Sequence, residues 1–470
     1  MKSTEVFAAK TTDLKDGEMK EITINDTKIL LAKTNGRFYA VGATCPHYNA
    51  PLIKGALCGT KLYCPWHHSV FDITTGALCE PPALDGLPHY ETTIKEDNIY
   101  IQFGAKTNDT GNGILKSNNE KTSVVLGGGA AGLMAVQTLR SEGFDGRIVV
   151  ITKENDLPYD RPALSKKYMS GKEKEEQLPL RKEDFFDKNA IEVERNREVK
   201  KVHVKNKSIL FADGSLMAYD TLLVATGGEP QTLAVKGAQL PNVFTLRSAA
   251  DAGKILNQAK KSKCVCIVGA SFIAMETAAS LKTLGLNVTV IAKEKLPFEK
   301  KFGDAIGKMF YNLHTQKGVV IKTEAEVKQI EGTEKAEAVV LQNGERIPTD
   351  MVIVGIGVHP NTGFIDGIQL NEKDKSIRVD EHLQAADGLF AAGDIARFTN
   401  AKNGGKTNRI EHWRVALQQG RIAALNMMGK PHSMDEVVPF FWTNQFEKRL
   451  SYVGHVEDWD DIILDGSVDE

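Results

Sequence analysis

VVLGGGAAGLMAVQTL, Val124 to Leu139, decides the fold. An apolar run ending at Leu126 gives way to three glycines, then to small and apolar residues at helical spacing. That is the pattern of a strand, a tight turn and a helix. Gly127, Gly129 and Gly132 stand in G-x-G-x-x-G spacing, which permits the turn and lets a pyrophosphate approach the helix N-terminus. The unit recurs as CIVGASFIAMETAASL, Cys266 to Leu281, with Gly269, Ser271 and Ala274 in the equivalent places. Each copy is followed by another apolar run, RIVVIT (147–152) and NVTVIA (287–292). The repeat predicts two α/β, Rossmann-like dinucleotide-binding units in one chain.

The acid that grips an adenine ribose should end the strand after each glycine turn. In the first unit that slot holds Lys153, with Glu154 one step on as the candidate. In the second it reads Ala292, Lys293, Glu294, Lys295. There Glu294 would select NAD, whereas the lysines would accept a 2′-phosphate.

Working back towards the N-terminus, AKTNDTGNGILKSNNEKT (105–122) is polar and rich in glycine and asparagine, the composition of a flexible linker. Before it, residues 1–104 carry short strand-like runs such as KEITI, KILLA and RFYAVG, separated by turn residues: a small all-β domain. Within that domain lies CPHYNAPLIKGALCGTKLYCPWHH (45–68), Cys-x-His followed by Cys-x-x-His. Structural zinc is one reading of two cysteines and two histidines. The tight first pair, the 17-residue step from His47 to Cys64 and the lack of a following recognition helix disfavour it. A Rieske 2Fe–2S centre, with thiolates on one iron and imidazoles on the other, matches a mixed pair on each of two loops.

Composition sets outer limits. The chain has 470 residues, more than one core organises, so about three domains are expected. A formal net charge of −2 gives no electrostatic reason to propose nucleic acid as a partner. No apolar run approaches the roughly 20 residues that span a bilayer. MKSTEVFAAKTTDLKDGEM has neither a signal-peptide core nor a transit-peptide pattern, so the expected location is cytoplasmic. Cys264 and Cys266, in CVCIVGA, are expected to be buried reduced thiols rather than a disulfide.

CPHYNAPL and CPWHHSVFD resemble the ligand loops of Rieske ferredoxins. The resemblance implies that Cys45 and Cys64 bind the inner iron, and His47 and His67 the outer, solvent-facing one. His68 follows where that family usually has glycine and is set aside by its register. EPPALDGLP (80–88) resembles the proline loop that covers the cluster. High-potential members brace the loops with a disulfide and donate a tyrosine hydroxyl to a sulfur. The matching positions here are Ala50, Trp66 and Phe71, with Ser69 keeping its hydroxyl, which implies a low-potential centre.

LPYDRPALSKKYM (157–169) resembles a motif of apoptosis-inducing-factor-like flavoprotein reductases and of the ferredoxin reductases of oxygenase systems. The resemblance implies that Arg161 and Lys166 contact FAD and that Lys166 pairs with Glu276 beside the flavin as the catalytic pair. It places Thr226 and Gly227 of YDTLLVATGG, and Gly393 and Asp394 of GLFAAGDIA, on the FAD. Glu411, His412 and Trp413 would lie near the flavin's pyrimidine edge and the nicotinamide, and Trp442 near the isoalloxazine. The second glycine unit becomes the nicotinamide-nucleotide site, closed by VGIGVHPNT with Gly357. NADH is the expected nucleotide, with NADPH the alternative.

The order of parts is similar to that of Rieske-bearing members of the apoptosis-inducing-factor-like family, nearly end to end. It implies a Rieske domain (1–104), a linker (105–122), an FAD-binding domain in two parts (123–255 and 379–432) and an NAD(P)H-binding domain (256–378). Residues 433–470 would form a C-terminal α+β segment, shorter than the family's. The implied function is an NAD(P)H oxidoreductase passing electrons through FAD to the Rieske cluster, and on to an external acceptor, protein or small molecule. Two alternatives stand beside it: a redox-responsive signalling flavoprotein, and the reductase component of an oxygenase system.

Overall fold

Hydrophobic runs bounded by glycine turns become two parallel sheets. The computed structural model describes residues 4–103, 119–399, 404–456 and 459–468. In the first α/β unit, Thr122–Leu126 lies mid-sheet between Arg147–Ile151 and Thr221–Val224, in parallel register on both sides. Ile191–Glu194 and Leu389–Ala391 extend the sheet, and an antiparallel strand, Gln384–Ala386, closes one edge. Val124, Val125 and Leu126 are buried on both faces, as a parallel strand covered by helices must be. The second unit repeats the plan with five parallel strands in the order Val243–Thr245, Met351–Val354, Cys264–Val268, Asn287–Ile291 and Val320–Lys322.

Two domain boundaries shift from those expected. Val243–Thr245 belongs to the second sheet, so that unit begins before residue 256. The chain also returns to the first unit before residue 379, because Ile365–Asp366 pairs with Val199–His203. Strands of two or three residues carry no usable periodicity, and only their partners across the fold assign them. Most of the expected linker lies outside the described residues. Its last residue, Thr122, already opens the central strand, and its amide is held by Asp220.

The N-terminal domain is all antiparallel. Met19–Ile24, Thr27–Thr34, Arg37–Gly42 and His89–Tyr90 form one sheet. Asn25 and Asp26 supply the two positive φ angles, 46° and 61°, that a two-residue hairpin turn needs. Ala56–Cys58, Lys61–Tyr63, Val70–Asp72 and Leu78–Glu80 form a second sheet carrying the cysteine–histidine loops. All six cysteines are free thiols.

One helix, Trp413–Met427, joins the parts. Its small face packs on the first glycine helix, Ala130–Ser141, so closely that a Cβ on Gly420 would stand 2.1 Å from the Ala131 carbonyl oxygen. Its polar face holds the proline loop of the N-terminal domain. Arg414 Nε donates to the Pro81 carbonyl at 2.8 Å and Gln418 Nε2 to Glu80 at 2.6 Å, while Arg421 donates to the Cys79 carbonyl. Arg181 adds a two-pronged pair with Asp85. Beyond this helix the described residues form a hairpin, Phe440–Gln445 with Lys448–Val453. Among them no helix is long and apolar enough to cross a membrane.

Gly420→Ala drives a methyl into backbone that cannot move aside, and is expected to cost about 1–3 kcal/mol. Thermal unfolding reads the loss; an unchanged midpoint would contradict the packing.

Candidate functional site

A long cavity starts at the first glycine turn and ends at the C-terminal hairpin. Gly127, at φ 113°, lets the turn pass the Ala225 carbonyl, where a Cβ would stand 2.2 Å from the oxygen. Gly129 caps the helix and has nothing within 4 Å of its Cβ position, so the helix N-terminus is open to the cavity. Gly132 does not line it. A Cβ there would meet the Gly127 oxygen at 2.0 Å, which makes it the glycine that lets helix and strand pack.

Glu154 lines the cavity where the strand after the turn ends. It accepts from Tyr159 at 2.6 Å and Arg161 at 2.8 Å. Burial opposes its ionisation, but Arg161 and Tyr159 outweigh that and hold the carboxyl below its usual range. Thr226, Gly227, Gly393, Asp394, Glu411 and Trp413 line the same space. Asp394 pairs with Arg247 at 3.1 Å, a residue the motif reading missed. Open helix N-terminus, carboxylates and glycine-thinned walls are the donor set and space that an FAD needs.

Lys166 and Glu276 meet at 2.8 Å at the cavity wall. Glu276 is buried and also accepts from Ser165 at 2.6 Å and Thr443 at 2.7 Å. The chain of bonds continues from Thr443 to Gln445 and from Gln445 to His314 Nε2, at 3.2 and 2.7 Å.

The four candidate metal donors lie together as two pairs. The buried Cys45 and Cys64 thiols lie close enough to interact, and the Ser69 hydroxyl and the His47 backbone act on Cys45 as well. The His47 and His67 rings are 4.9 Å apart. Burial keeps both imidazoles neutral, His47 down to about 4 and His67 to about 2, so their nitrogens are free to ligate. His47 Nδ1 is buried with no hydrogen-bond partner. Among the described residues no three His, Cys, Asp or Glu side chains are placed to hold one ion. Two donors per iron, thiolates on one and imidazoles on the other, is the demand of a Rieske cluster and not of four-coordinate zinc. His68 stacks on Phe440 at 4.5 Å.

Two expectations are corrected. Only part of the imidazole side faces solvent: His47 is half-buried, while His67 is buried, its ring packing 4.4 Å from the Trp442 indole and 5.5 Å from Tyr48. Trp442 also lines the long cavity, so one indole touches both sites. His412 does not line that cavity. Its ring packs instead on Phe441, itself a wall residue, at 4.9 Å. Burial holds it neutral, with its pKa down to about 3.

Gly269, Ser271, Gly357 and Glu294 lie outside the long cavity, around the second glycine turn. Gly269, at φ 106°, lets the turn pass the Gly355 carbonyl, and Ser271 caps the following helix through the Ala274 amide. Glu294 stands 3.9 Å from Lys300, and Lys293 is paired with Glu326 at 3.3 Å. Tyr48, whose hydroxyl donates to the buried Asp160 carboxylate, is a docking residue that spacing alone could not show.

Comparison with known proteins agrees with this geometry. Residues 121–420 match the pyridine nucleotide-disulphide oxidoreductase family, and residues 4–91 the Rieske 2Fe–2S domain. The chain is 38% identical to human apoptosis-inducing factor 3, covering 97% of this chain and 77% of that one. It is 33% identical to rhodocoxin reductase of Rhodococcus erythropolis, covering 74% and 81%. The covalent complex of putidaredoxin reductase and putidaredoxin superposes with a TM-score of 0.71 at 31% identity, covering 75% and 86%.

His314 ties this site to acid stability. Burial pulls its pKa from 6.5 to about 4, so protonation favours the unfolded chain. Its contribution is whole above the unfolded value and is lost as pH falls through the interval between the two, about 3 kcal/mol in all. Denaturant titrations across that interval should show a shallower acid loss in His314→Gln; an identical slope would sink the assignment.

Proposed function

The chain belongs to the pyridine nucleotide-disulphide oxidoreductase family and carries a Rieske 2Fe–2S domain, and from that premise we propose how its residues are used. It is an NAD(P)H-dependent flavoprotein oxidoreductase. Bound flavin takes the two electrons of a hydride together and can release them singly, which suits a cluster that carries one at a time.

The first glycine turn, Glu154 and Asp394 hold the FAD, with Cys45, Cys64, His47 and His67 holding the cluster. Lys166, kept in place by Glu276, presents a cation at the flavin end of the cavity and favours negative charge there. Trp442 fills the gap between that cavity and His67, excludes water from it and keeps the Rieske domain in contact. The observation that carries this reading is that single indole touching both sites. A cluster held by these residues would supply one-electron chemistry at the docked domain, and the bonds of Arg414, Gln418 and Arg421 to the proline loop would hold that domain against Trp442.

NADH is the proposed nucleotide. Glu294 lies three residues past the strand Asn287–Ile291, near where a carboxylate grips a ribose 2′-hydroxyl, and Lys293 is already engaged by Glu326. Glu294→Ala is expected to raise the KM for NADH about tenfold, with little change for NADPH, the loss of about one charged hydrogen bond. The reverse preference would reject the assignment.

Anaerobic NADH titration followed by visible and EPR spectra tests the route. Flavin and cluster should both be reduced, with the cluster midpoint below about +100 mV, within the range of Rieske centres. In Trp442→Ala, ferricyanide reduction should persist while cluster reduction slows about tenfold, some 1.4 kcal/mol of barrier. Unchanged cluster reduction in that variant would remove Trp442 from the route.

A further inference from the structure

A second cavity, of about 390 Å³, lies on the other side of Trp442, at the seam between the Rieske domain, residues 162–172, the helix Phe272–Thr283 and the C-terminal hairpin. Its size falls in the roughly 300–1,000 Å³ range of small-molecule sites. His67 forms part of its wall, so an occupant reaches the edge of a cluster ligand.

The wall chemistry is one-sided. Lys166, Lys167, Lys172 and Arg449 line it, and no carboxylate does except across the Lys166–Glu276 pair. Lys167 sits 3.9 Å over the Tyr48 ring. Asp160 and Glu173, the carboxylates that feel Lys167, are off the wall, and Asp160 is taken by the Tyr48 hydroxyl. Among the described residues neither Lys172 nor Arg449 has an ion-pair partner. A half-open indole, Trp66 at 38% exposure, supplies a flat apolar face beside these charges. Cations leave such a cavity electrostatically unbalanced, and an aromatic face favours a planar guest.

We propose that this cavity binds a planar aromatic anion, a quinone bearing a carboxylate or sulfonate, as the electron acceptor. The anionic group pairs with Lys172 and Arg449, and the ring lies on Trp66 with its edge at His67. The proposal rests on the reading that electrons leave at the Rieske domain. The overall step balances: NADH, one proton and quinone give NAD⁺ and quinol. The C–H bond of the nicotinamide breaks, its two electrons reduce the two quinone carbonyls, and two O–H bonds form with protons drawn from the released hydrogen and from solvent.

The holoprotein tests this in two independent ways. Calorimetry with naphthalene sulfonate, which is redox-inert, reads binding alone; turnover with naphthoquinone sulfonate and with uncharged menadione reads use. Lys172→Gln and Arg449→Gln should each weaken naphthalene sulfonate binding about tenfold, the loss of a charge-assisted bond. In Lys172→Gln the KM for naphthoquinone sulfonate should rise by the same factor, while the KM for menadione and NADH-driven cluster reduction stay as they were. Equal effects on charged and uncharged quinones, or no effect on sulfonate binding, would overturn the proposal. If NADH does not reduce the cluster at all, the route fails instead, and calorimetry still decides the cavity.

Discussion

A buried carboxylate has to be answered, and Glu276 is answered from three directions. It lies on the helix after the second glycine turn. Lys166 and Ser165 reach it from the first unit, and Thr443 from the C-terminal hairpin. Removing one partner of such a buried pair typically costs about 3–5 kcal/mol, so the three segments are held in one arrangement. Strand alternation then does the rest: with Thr443 turned towards Glu276, its neighbour Trp442 must face the other way. That way lies His67. The contact between the two redox sites is thus a consequence of satisfying one carboxylate.

The Rieske domain is held by a different logic. Its proline loop presents backbone carbonyls at Cys79 and Pro81 and the Glu80 carboxylate to one stripe of the Trp413–Met427 helix. Arg414, Gln418 and Arg421 are four and three residues apart, which puts all three on one face of that helix. The opposite face is small, and Gly420 lets it close on the first glycine helix. One helix therefore fixes the flavin domain's core with one side and the docked domain with the other. The bonds go mostly to main-chain atoms, which ties docking to the shape of the loop more than to its side chains.

Much of the site was legible because spacing encodes it. Gly127 and Gly129 are set by the geometry of a turn, Gly132 by the packing of helix on strand, and Cys45, His47, Cys64 and His67 by the reach of two short loops. Lys166 and Glu276 stand 110 residues apart, and only a family motif joined them before the fold did. What stayed hidden depended on direction. His412 stands between two residues that line the cavity, yet its own ring is one layer back, packed on Phe441. The imidazoles were expected in solvent because an isolated ferredoxin-like domain exposes them, and docking buries His67 instead.

By itself, then, the sequence determined the list of parts: two dinucleotide units, a Rieske domain and the candidate residues for each cofactor. These depend on local geometry, on turns that need glycine and on donors a few residues apart, and local geometry is written in consecutive residues. Only the tertiary structure decided how the parts face one another: Trp442 between cavity and His67, Tyr48 on Asp160, Arg414 on Pro81, and a cationic cavity walled by five separate segments. Such contacts join residues far apart in the chain. They form because buried charges and polar groups find partners wherever the fold brings them, and no spacing along the chain records that.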